Sequence, residues 1–170
     1  AEGFYTAVNS AYKNMYGEYQ FIHFPYFRNK GEDFLTTQKN LTHVCLEAIP
    51  SIENQQVLEI GCGNGATLFL LAKEFKQLDG IEVNEDHLKA FNQTKEKEGI
   101  NNCSYAIKDV VNSKAKQQYD RVISFEVIEH LENHSGLNYY YDSLKKDGML
   151  VISVPNKWWI FEKFWIYNNW

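Results

Sequence analysis

The sequence predicts an α/β fold, in which a parallel β-sheet carries helices on both faces. Apolar runs predict five strands, near residues 57–60, 78–83, 103–107, 120–125 and 149–154. Amphipathic patterns between these runs predict helices near residues 66–76, 85–98 and 135–146. Strands that alternate with helices favour a parallel sheet with right-handed crossovers, because each helix returns the chain to the same end of the sheet.

An aromatic-rich segment precedes the first predicted strand. Residues 1–20 and 34–49 have apolar side chains at helical spacing, and Pro50 ends the second of these helices. We therefore predict one globular domain with three parts. These are an N-terminal helical layer or lid at 1–50, a core at 51–156 and an aromatic tail at 157–170.

The first predicted strand runs directly into three glycines at alternate positions. Gly61, Gly63 and Gly65 allow positive φ and lack the Cβ atoms that would keep a ligand away from the backbone. A strand, a glycine turn and a helix together place a nucleotide-like ligand at the carboxyl end of the strand. Glu82 ends the next apolar run, about 20 residues further on, where a carboxylate accepts hydrogen bonds from ribose hydroxyls. These features predict a Rossmann-like fold with a site for an adenosine-containing ligand.

Two classes of ligand fit this turn. As G-x-G-x-x-A, residues 61–66 fit the dinucleotide fingerprint, which alone is a weak signal. As E-x-G-x-G-x-G from Glu59, the segment resembles the first motif of class I S-adenosylmethionine-dependent methyltransferases. A carboxylate at Glu59 repels a pyrophosphate and suits the ammonium of a methionine moiety. We therefore favour S-adenosylmethionine as the cofactor, with S-adenosylhomocysteine as its product.

Further segments resemble the same family. Residues 119–131 (Y-D-R-V-I-S-F-E-V-I-E-H-L) resemble its fourth-strand motif, and the E-V-I-E-H-L ending is common among small-molecule methyltransferases. Residues 144–156 are similar to the L-K-P-G-G turn and fifth strand, with Asp147 in place of proline. Residues 23–27 and Gln38 resemble the H-x-G-Y and A-Q elements found upstream in the family. With this resemblance we predict the strand order 3-2-1-4-5.

The resemblance and the motifs together define a predicted cofactor site. An acid at Asp109 implies a contact with the adenine amino group, and Glu126 is expected to face the methionine end. Tyr26 and Gln38 are expected to close over the cofactor as a lid, because a sulfonium is attracted to aromatic faces. Core packing is the alternative role for Tyr26. The predicted cofactor-binding residues are Tyr26, Gln38, Glu59, Gly61, Gly63, Gly65, Glu82, Val83, Asp109, Val110, Phe125 and Glu126.

The predicted catalytic residues follow the fourth strand, at the end of the sheet where α/β proteins bind ligands. His130 is the best candidate for a general base because its unperturbed pKa lies near neutrality, and Glu129 precedes it. A structural role in a loop is the alternative for His130. A methyl group on a sulfonium is already activated, so the residues mainly position the reactants, and no ligand cluster argues for a metal.

The amino-acid composition restricts the classes of molecule that this protein is expected to bind. The balance of 17 Lys+Arg against 22 Asp+Glu, a net charge of −5, argues against nucleic acid and against a polybasic membrane anchor. No apolar run is long enough to span a membrane. The three cysteines are widely spaced and predict reduced thiols in the cytoplasm. We expect a small-molecule acceptor.

The predicted function is S-adenosylmethionine-dependent methyl transfer to an oxygen or nitrogen of a small molecule. A nicotinamide-dependent oxidoreductase is one alternative, although Glu59 and the E-V-I-E-H-L segment count against it. A non-catalytic binding or scaffold protein is the other, because residues 157–170 are too few for the family's sixth and seventh strands, which we expect to be absent. We expect this aromatic tail to fold back over the sheet edge or to mediate a symmetric dimer.

Overall fold

A five-stranded parallel sheet forms the centre of the protein. The structure, a computed structural model, describes residues 26–47, 54–131 and 135–154. Its strands lie in the order β3-β2-β1-β4-β5, which confirms the predicted fold class and strand order. The strands are β1 (Gln56–Ile60), β2 (Gln77–Glu82), β3 (Cys103–Ile107), β4 (Tyr119–Phe125) and β5 (Leu144–Ser153).

Helices cover both faces of this sheet. They are α1 (Phe34–Glu47), α2 (Ala66–Leu71), α3 (Asp86–Lys97) and α4 (Ser135–Asp142), with a 3₁₀ turn at Ile128–His130 after β4. Side chains of α2 and α3 pack with Val57 on one face, whereas side chains of α4 pack with Leu58 on the other. Adjacent residues of β1 are therefore both buried, as expected for a parallel sheet that is covered on both sides.

Two predicted helices are too long. The prediction of 66–76 overshoots α2, which ends at Leu71, and the chain then turns back toward the sheet. Asn102 stabilises this turn, because its side-chain amide donates to the carbonyls of Ala72 (2.7 Å) and Phe75 (2.9 Å). The prediction of 135–146 overshoots α4, because Ser143 already pairs with Tyr119 at the start of β4 (N to O, 2.8 Å).

The fifth strand begins earlier than predicted and is irregular. Tyr119 pairs with Leu144 and Arg121 pairs with Met149, so the segment between Leu144 and Met149 bulges opposite a single residue of β4. Asp147 adopts a positive φ of 68° inside the bulge. An alternation pattern identifies the regular part of this strand but not a bulge, since the extra residues are not paired.

The N-terminal layer is described only in part. Helix α1 agrees with the prediction for residues 34–49, begins beside Asp33, whose carboxylate accepts from the N–H of Thr36 (3.0 Å), and packs against β5. The helix predicted at 1–20 and the tail at 157–170 lie outside the described residues, as do the expectations about dimerisation and about further strands. The division into lid, core and tail stays a prediction.

Candidate cofactor and catalytic site

The glycine turn adopts the backbone conformation that its sequence predicts. Gly61, Gly63 and Gly65 have φ values of 74°, 51° and 82°, a region that side chains disfavour. The N–H groups of Gly61 and Cys62 both donate to the carbonyl of Ile81, at 2.8 and 3.1 Å. These bonds fix the turn against the carboxyl end of β2.

Two of the three glycines are required by packing within the protein. A Cβ atom on Gly61 would lie 2.4 Å from Cγ2 of Val127, and one on Gly65 would lie 2.4 Å from the ring of Phe91. The prediction had assigned all three glycines to close approach of a ligand. In the structure, Gly61 accommodates the segment after β4 and Gly65 accommodates α3, because no room remains for a side chain.

Glu82 lies directly beside the turn. Its Oε2 accepts from the N–H of Gly63 (3.0 Å), and its Oε1 accepts from the N–H groups of Val83 (2.9 Å) and Asn84 (3.0 Å). Backbone donors therefore fix the carboxylate at the end of β2. This places Glu82 where the sequence predicted a ribose-binding acid, in hydrogen-bond contact with the middle glycine.

Apolar side chains flank Glu82 at the carboxyl ends of β2 and β3. Val83 follows Glu82 and is 68% exposed, whereas Ile107, which pairs with Glu82 in the sheet, is 45% exposed. Exposed apolar side chains beside a fixed carboxylate form a surface suited to a flat heterocycle. The sequence reasoning missed Ile107, because only the strand register places it next to Glu82.

The predicted adenine-binding acid forms a turn of its own. Oδ1 of Asp109 accepts from the N–H of Val111 (2.9 Å), and Oδ2 accepts from the side-chain amide of Asn112 (2.7 Å). Val110 is buried in the core with Leu58. Asp109 therefore lies just beyond β3, at the same end of the sheet as Glu82, and Val110 has a packing role.

Glu59 is a buried acid next to the turn. It is 3% exposed and lies between Gly80 of β2 and Ile123 of β4. Burial raises the pKa of its carboxyl group to about 8, a hydrogen bond from the hydroxyl of Thr67 opposes this shift, and the negative charge of Glu82 adds to it. Its buried Oε2 has no hydrogen-bond partner in the part of the chain that the structure describes. The proton is therefore retained near neutral pH until a cation compensates the charge.

A second acid lies at the end of β4. Glu126 has a positive φ of 57°, and its N–H donates to the carbonyl of Ser153 (3.1 Å). The hydroxyl of Ser153 donates in turn to Oε1 of Glu126 (2.9 Å). Phe125, immediately before, is 7% exposed and packs in the core. The end of β4 is thus tied to the end of β5, and Ser153 is a contact that the sequence reasoning missed.

The two predicted catalytic residues lie together in the 3₁₀ turn after β4. Nε2 of His130 is 4.0 Å from Oε1 of Glu129, and their side chains are 45% and 26% exposed. This separation is too long for a hydrogen bond, so the two side chains are neighbours without a direct bond between these atoms. Both residues remain accessible to a substrate at the carboxyl end of the sheet.

The predicted lid residues have different surroundings. The backbone of Tyr26 is anchored to α1, because its N–H donates to the carbonyl of Thr37 (2.9 Å) and its carbonyl accepts from Asn40 (3.2 Å). Tyr26 is 45% exposed, and both of its predicted roles, in a lid or in core packing, stay predictions. Gln38 is fully buried in α1. A contact of either side chain with a cofactor stays a prediction.

The predicted site residues therefore fall into two groups. Eight lie at the carboxyl edge of the sheet: Gly61, Gly63, Gly65, Glu82, Val83, Asp109, Glu129 and His130. The others are half-buried or buried beneath that edge or belong to the N-terminal layer. Within residues 26–47, 54–131 and 135–154, no group of His, Cys, Asp and Glu side chains is arranged to hold a metal ion. The described helices include none that is long and apolar enough to cross a membrane.

Family membership follows from comparison with known proteins. Residues 52–164, most of the chain, match the family model described as Methyltransferase domain. The chain belongs to this methyltransferase family. S-adenosylmethionine is the methyl donor of the family, and the resemblance stated from the motifs is confirmed.

Relatives and solved structures agree with this assignment. The chain is 23% identical over 131 residues to a probable (S)-tetrahydroprotoberberine N-methyltransferase 2 of Papaver bracteatum, a match that covers 76% of this chain and 37% of that protein. A coclaurine N-methyltransferase solved with S-adenosylhomocysteine has a TM-score of 0.71 at 20% identity, covering 76% of this chain and 39% of that one. The [4+2]-cyclase SpnF has a TM-score of 0.78 at 17% identity, covering 88% and 57%. These structures show the shared fold, and the methyltransferase domain spans about a third of the length of the curated plant relatives.

Proposed function

We propose that this methyltransferase domain binds S-adenosylmethionine at the carboxyl edge of its sheet and transfers the methyl group to an oxygen or nitrogen atom of a small molecule. The observation that carries the proposal is the contact between the N–H of Gly63 and the carboxylate of Glu82 (3.0 Å). This contact lies where β1 has β2 on one side and β4 on the other, which is the point where open α/β sheets bind nucleotides.

Charge favours this cofactor over a dinucleotide. Five acidic side chains lie in β1 or at the carboxyl ends of β2, β3 and β4, namely Glu59, Glu82, Asp109, Glu126 and Glu129. A pyrophosphate would be repelled by the ionised carboxylates among them, whereas the ammonium of a methionine moiety would stabilise the charged form of Glu126 and would favour loss of the proton that Glu59 retains near neutral pH. When bound, S-adenosylmethionine supplies a methyl group that its positively charged sulfur has already activated. A nicotinamide-dependent oxidoreductase is therefore disfavoured.

His130 and Glu129 are the residues that we assign to proton transfer. With S-adenosylmethionine bound, the cofactor would supply the methyl group to the acceptor atom, and its sulfur would keep the electron pair of the broken bond. The proton that the acceptor must lose passes to Nε2 of His130. Glu129, with its Oε1 4.0 Å from that nitrogen, stabilises the resulting imidazolium.

A small molecule is a better candidate for the methyl acceptor than a nucleic acid. The net charge of −5 gives no electrostatic footprint for nucleic acid. Similarity to an N-methyltransferase of Papaver bracteatum supports a nitrogen acceptor, with oxygen as the other candidate. The free thiols of Cys45, Cys62 and Cys103 support a reducing compartment, for which we propose the cytoplasm.

Replacing Glu82 tests the cofactor site. Glu82→Ala removes a charged acceptor and is expected to weaken S-adenosylhomocysteine binding by roughly 1.5–3 kcal/mol in a calorimetric titration. Glu74→Ala is the matched control, because Glu74 is an exposed acid after α2, away from the glycine turn. Equal affinities of the parent and the Glu82→Ala variant would contradict the assignment.

Replacing His130 tests the proton transfer. His130→Ala is expected to lower turnover by roughly 10²–10⁴-fold and to leave the affinity for S-adenosylhomocysteine nearly unchanged, because the base acts only on the acceptor. A rate within a few-fold of the parent would assign His130 a structural role. It would also favour a mechanism in which positioning alone suffices.

A further inference from the structure

Ser153 ends β5 next to the acid that follows β4. Its hydroxyl donates to Oε1 of Glu126 (2.9 Å), and its carbonyl accepts from the N–H of Glu126 (3.1 Å). The two residues are thus joined through both side chain and backbone. Because the backbone and one carboxylate oxygen of Glu126 are both held by Ser153, the side chain of Glu126 has lost most of its rotational freedom. Its other carboxylate oxygen, Oε2, therefore has a defined position.

The other carboxylate oxygen of Glu126 is the atom that is available to a ligand. Oε2 of Glu126 is buried and accepts no hydrogen bond from any residue that the structure describes. Glu126 also has a positive φ of 57°, which costs backbone energy in a residue with a side chain. A strained residue with one secured oxygen and one buried open oxygen has the properties of a preorganised acceptor for a cation.

We propose that Ser153 is a positioning residue for the cofactor, because its hydroxyl secures one oxygen of Glu126 and leaves the other to accept the cationic methionine end of S-adenosylmethionine. This inference rests on the proposed function, since Glu126 needs a bound cation on which to act. Neither the motifs nor the family resemblance assigned a role to Ser153.

The surroundings of Glu126 determine how the loss of Ser153 becomes measurable. Burial raises the pKa of Glu126 above its ordinary value, the hydrogen bond from Ser153 opposes that shift, and the charge of Glu129 adds to it. Within the described part of the chain, Cys45 of α1 also faces Glu126, and its thiol stays protonated because burial raises its pKa. Removing the hydroxyl of Ser153 therefore raises the pKa of Glu126 further. At acid pH, a smaller fraction of Glu126 then carries the negative charge that attracts a cation.

The test is a calorimetric titration of S-adenosylhomocysteine from about pH 5.5 to about pH 7.5, where an α-amino group carries its proton. Ser153→Ala is expected to weaken binding by roughly three- to tenfold at the acid end, with the difference shrinking as the pH rises. Ser153→Thr, which keeps the hydroxyl, is expected to match the parent. Ser104→Ala is the control, because Ser104 donates to a carboxylate elsewhere, Oδ1 of Asp79 (2.6 Å).

A double variant shows whether the effect of Ser153→Ala on binding acts through Glu126. Glu59 also titrates near the turn, so the pH profile alone does not identify Glu126. In a Glu126→Gln background, Ser153→Ala is expected to have no pH-dependent effect, because the titrating group is gone. An equal loss at every pH, no loss, or a pH-dependent loss that persists in this background would overturn the role of Ser153 alone. A parent protein that binds no S-adenosylhomocysteine would overturn the proposed function and the positioning role with it.

Discussion

Single residues at the carboxyl edge of the sheet combine two tasks, since they support the fold and shape the site. The N–H of Gly61 donates a hydrogen bond to the carbonyl of Ile81, and its Cα lies against Val127. Gly61 also belongs to the turn at which we propose that the cofactor binds. Glu59 is a core residue by burial, and its position in β1 next to the turn also makes it a residue of the candidate site. Functional groups placed in a core reduce stability, which is a common compromise at binding sites.

The buried carboxyl group of Glu59 predicts a pH-dependent cost in stability. Its folded pKa of about 8 lies above the ordinary value of 4.5 for a glutamate, so the folded protein holds this proton more tightly than the unfolded chain does. The stabilisation is complete below the unfolded pKa and is lost as the pH rises toward about 8. Glu59→Gln keeps the shape without the charge, so its unfolding free energy should exceed that of the parent by an amount that grows across this window to a few kcal/mol.

Denaturant unfolding of both proteins between acid and alkaline pH measures this difference. The variant Glu85→Gln is a suitable control, because Glu85 is exposed at the start of α3. A constant difference between Glu59→Gln and the parent at all pH values would show that folding does not shift the pKa of Glu59.

The contact between Gly61 and Val127 predicts a compensating pair of substitutions. Gly61→Ala places a Cβ 2.4 Å from Cγ2 of Val127 and forces a positive φ on alanine. The two effects are expected to cost about 1–3 kcal/mol and about 1–2 kcal/mol. Val127→Ala in the same chain should recover the first part only, because it removes the overlap and leaves the strained φ. If the double variant is no more stable in denaturant than Gly61→Ala, the clash is not the cause.

At the scale of elements, strands were easier to predict than the ends of helices. The limits of β3 agree with the prediction at both ends, because its apolar run is bounded by polar residues. Helix α2 ends before the apolar pattern does, since Phe75 continues that pattern as a core residue after the helix has closed. Local periodicity does not distinguish a helical turn from a loop that packs against the same core.

In the candidate site, too, some residues were predictable from the sequence and others were not. The glycines, Glu82 and the segment of Glu129 and His130 were found from motifs that are contiguous in sequence. Ile107 and Ser153 were missed, because each acquires its relevance from a neighbour on another strand. Burial of Glu59 was also not predictable, because the sequence motif does not specify which side of the turn α2 covers.

The end of α2 supplies a test at the scale of elements. Asn102 bonds to two carbonyls after α2, and Asn102→Ala should destabilise the protein by about 1–3 kcal/mol, because those carbonyls lose their donor. Asn101→Ala is the matched control, because Asn101 is the residue before Asn102 and its side chain is exposed. Denaturant midpoints measure both effects. Equal midpoints for the two variants would show that Asn102 does not stabilise the turn.

At the scale of the whole molecule, the order β3-β2-β1-β4-β5 brings the functional segments to one edge. Four segments from distant parts of the chain meet there: the turn after β1, Glu82 at the end of β2, Asp109 after β3 and His130 after β4. Parallel strands place all their carboxyl ends on the same side, so these segments meet without further design. We propose that the concentration of carboxylates there selects a cationic cofactor.

Calorimetric titration of the parent protein with S-adenosylmethionine, and separately with NAD, tests the central claim most directly. We predict saturable binding of S-adenosylmethionine at one site per chain and no measurable heat with NAD, because the carboxylates of the turn attract the ammonium and repel the pyrophosphate. Saturable binding of NAD, or no binding of S-adenosylmethionine, would contradict the account.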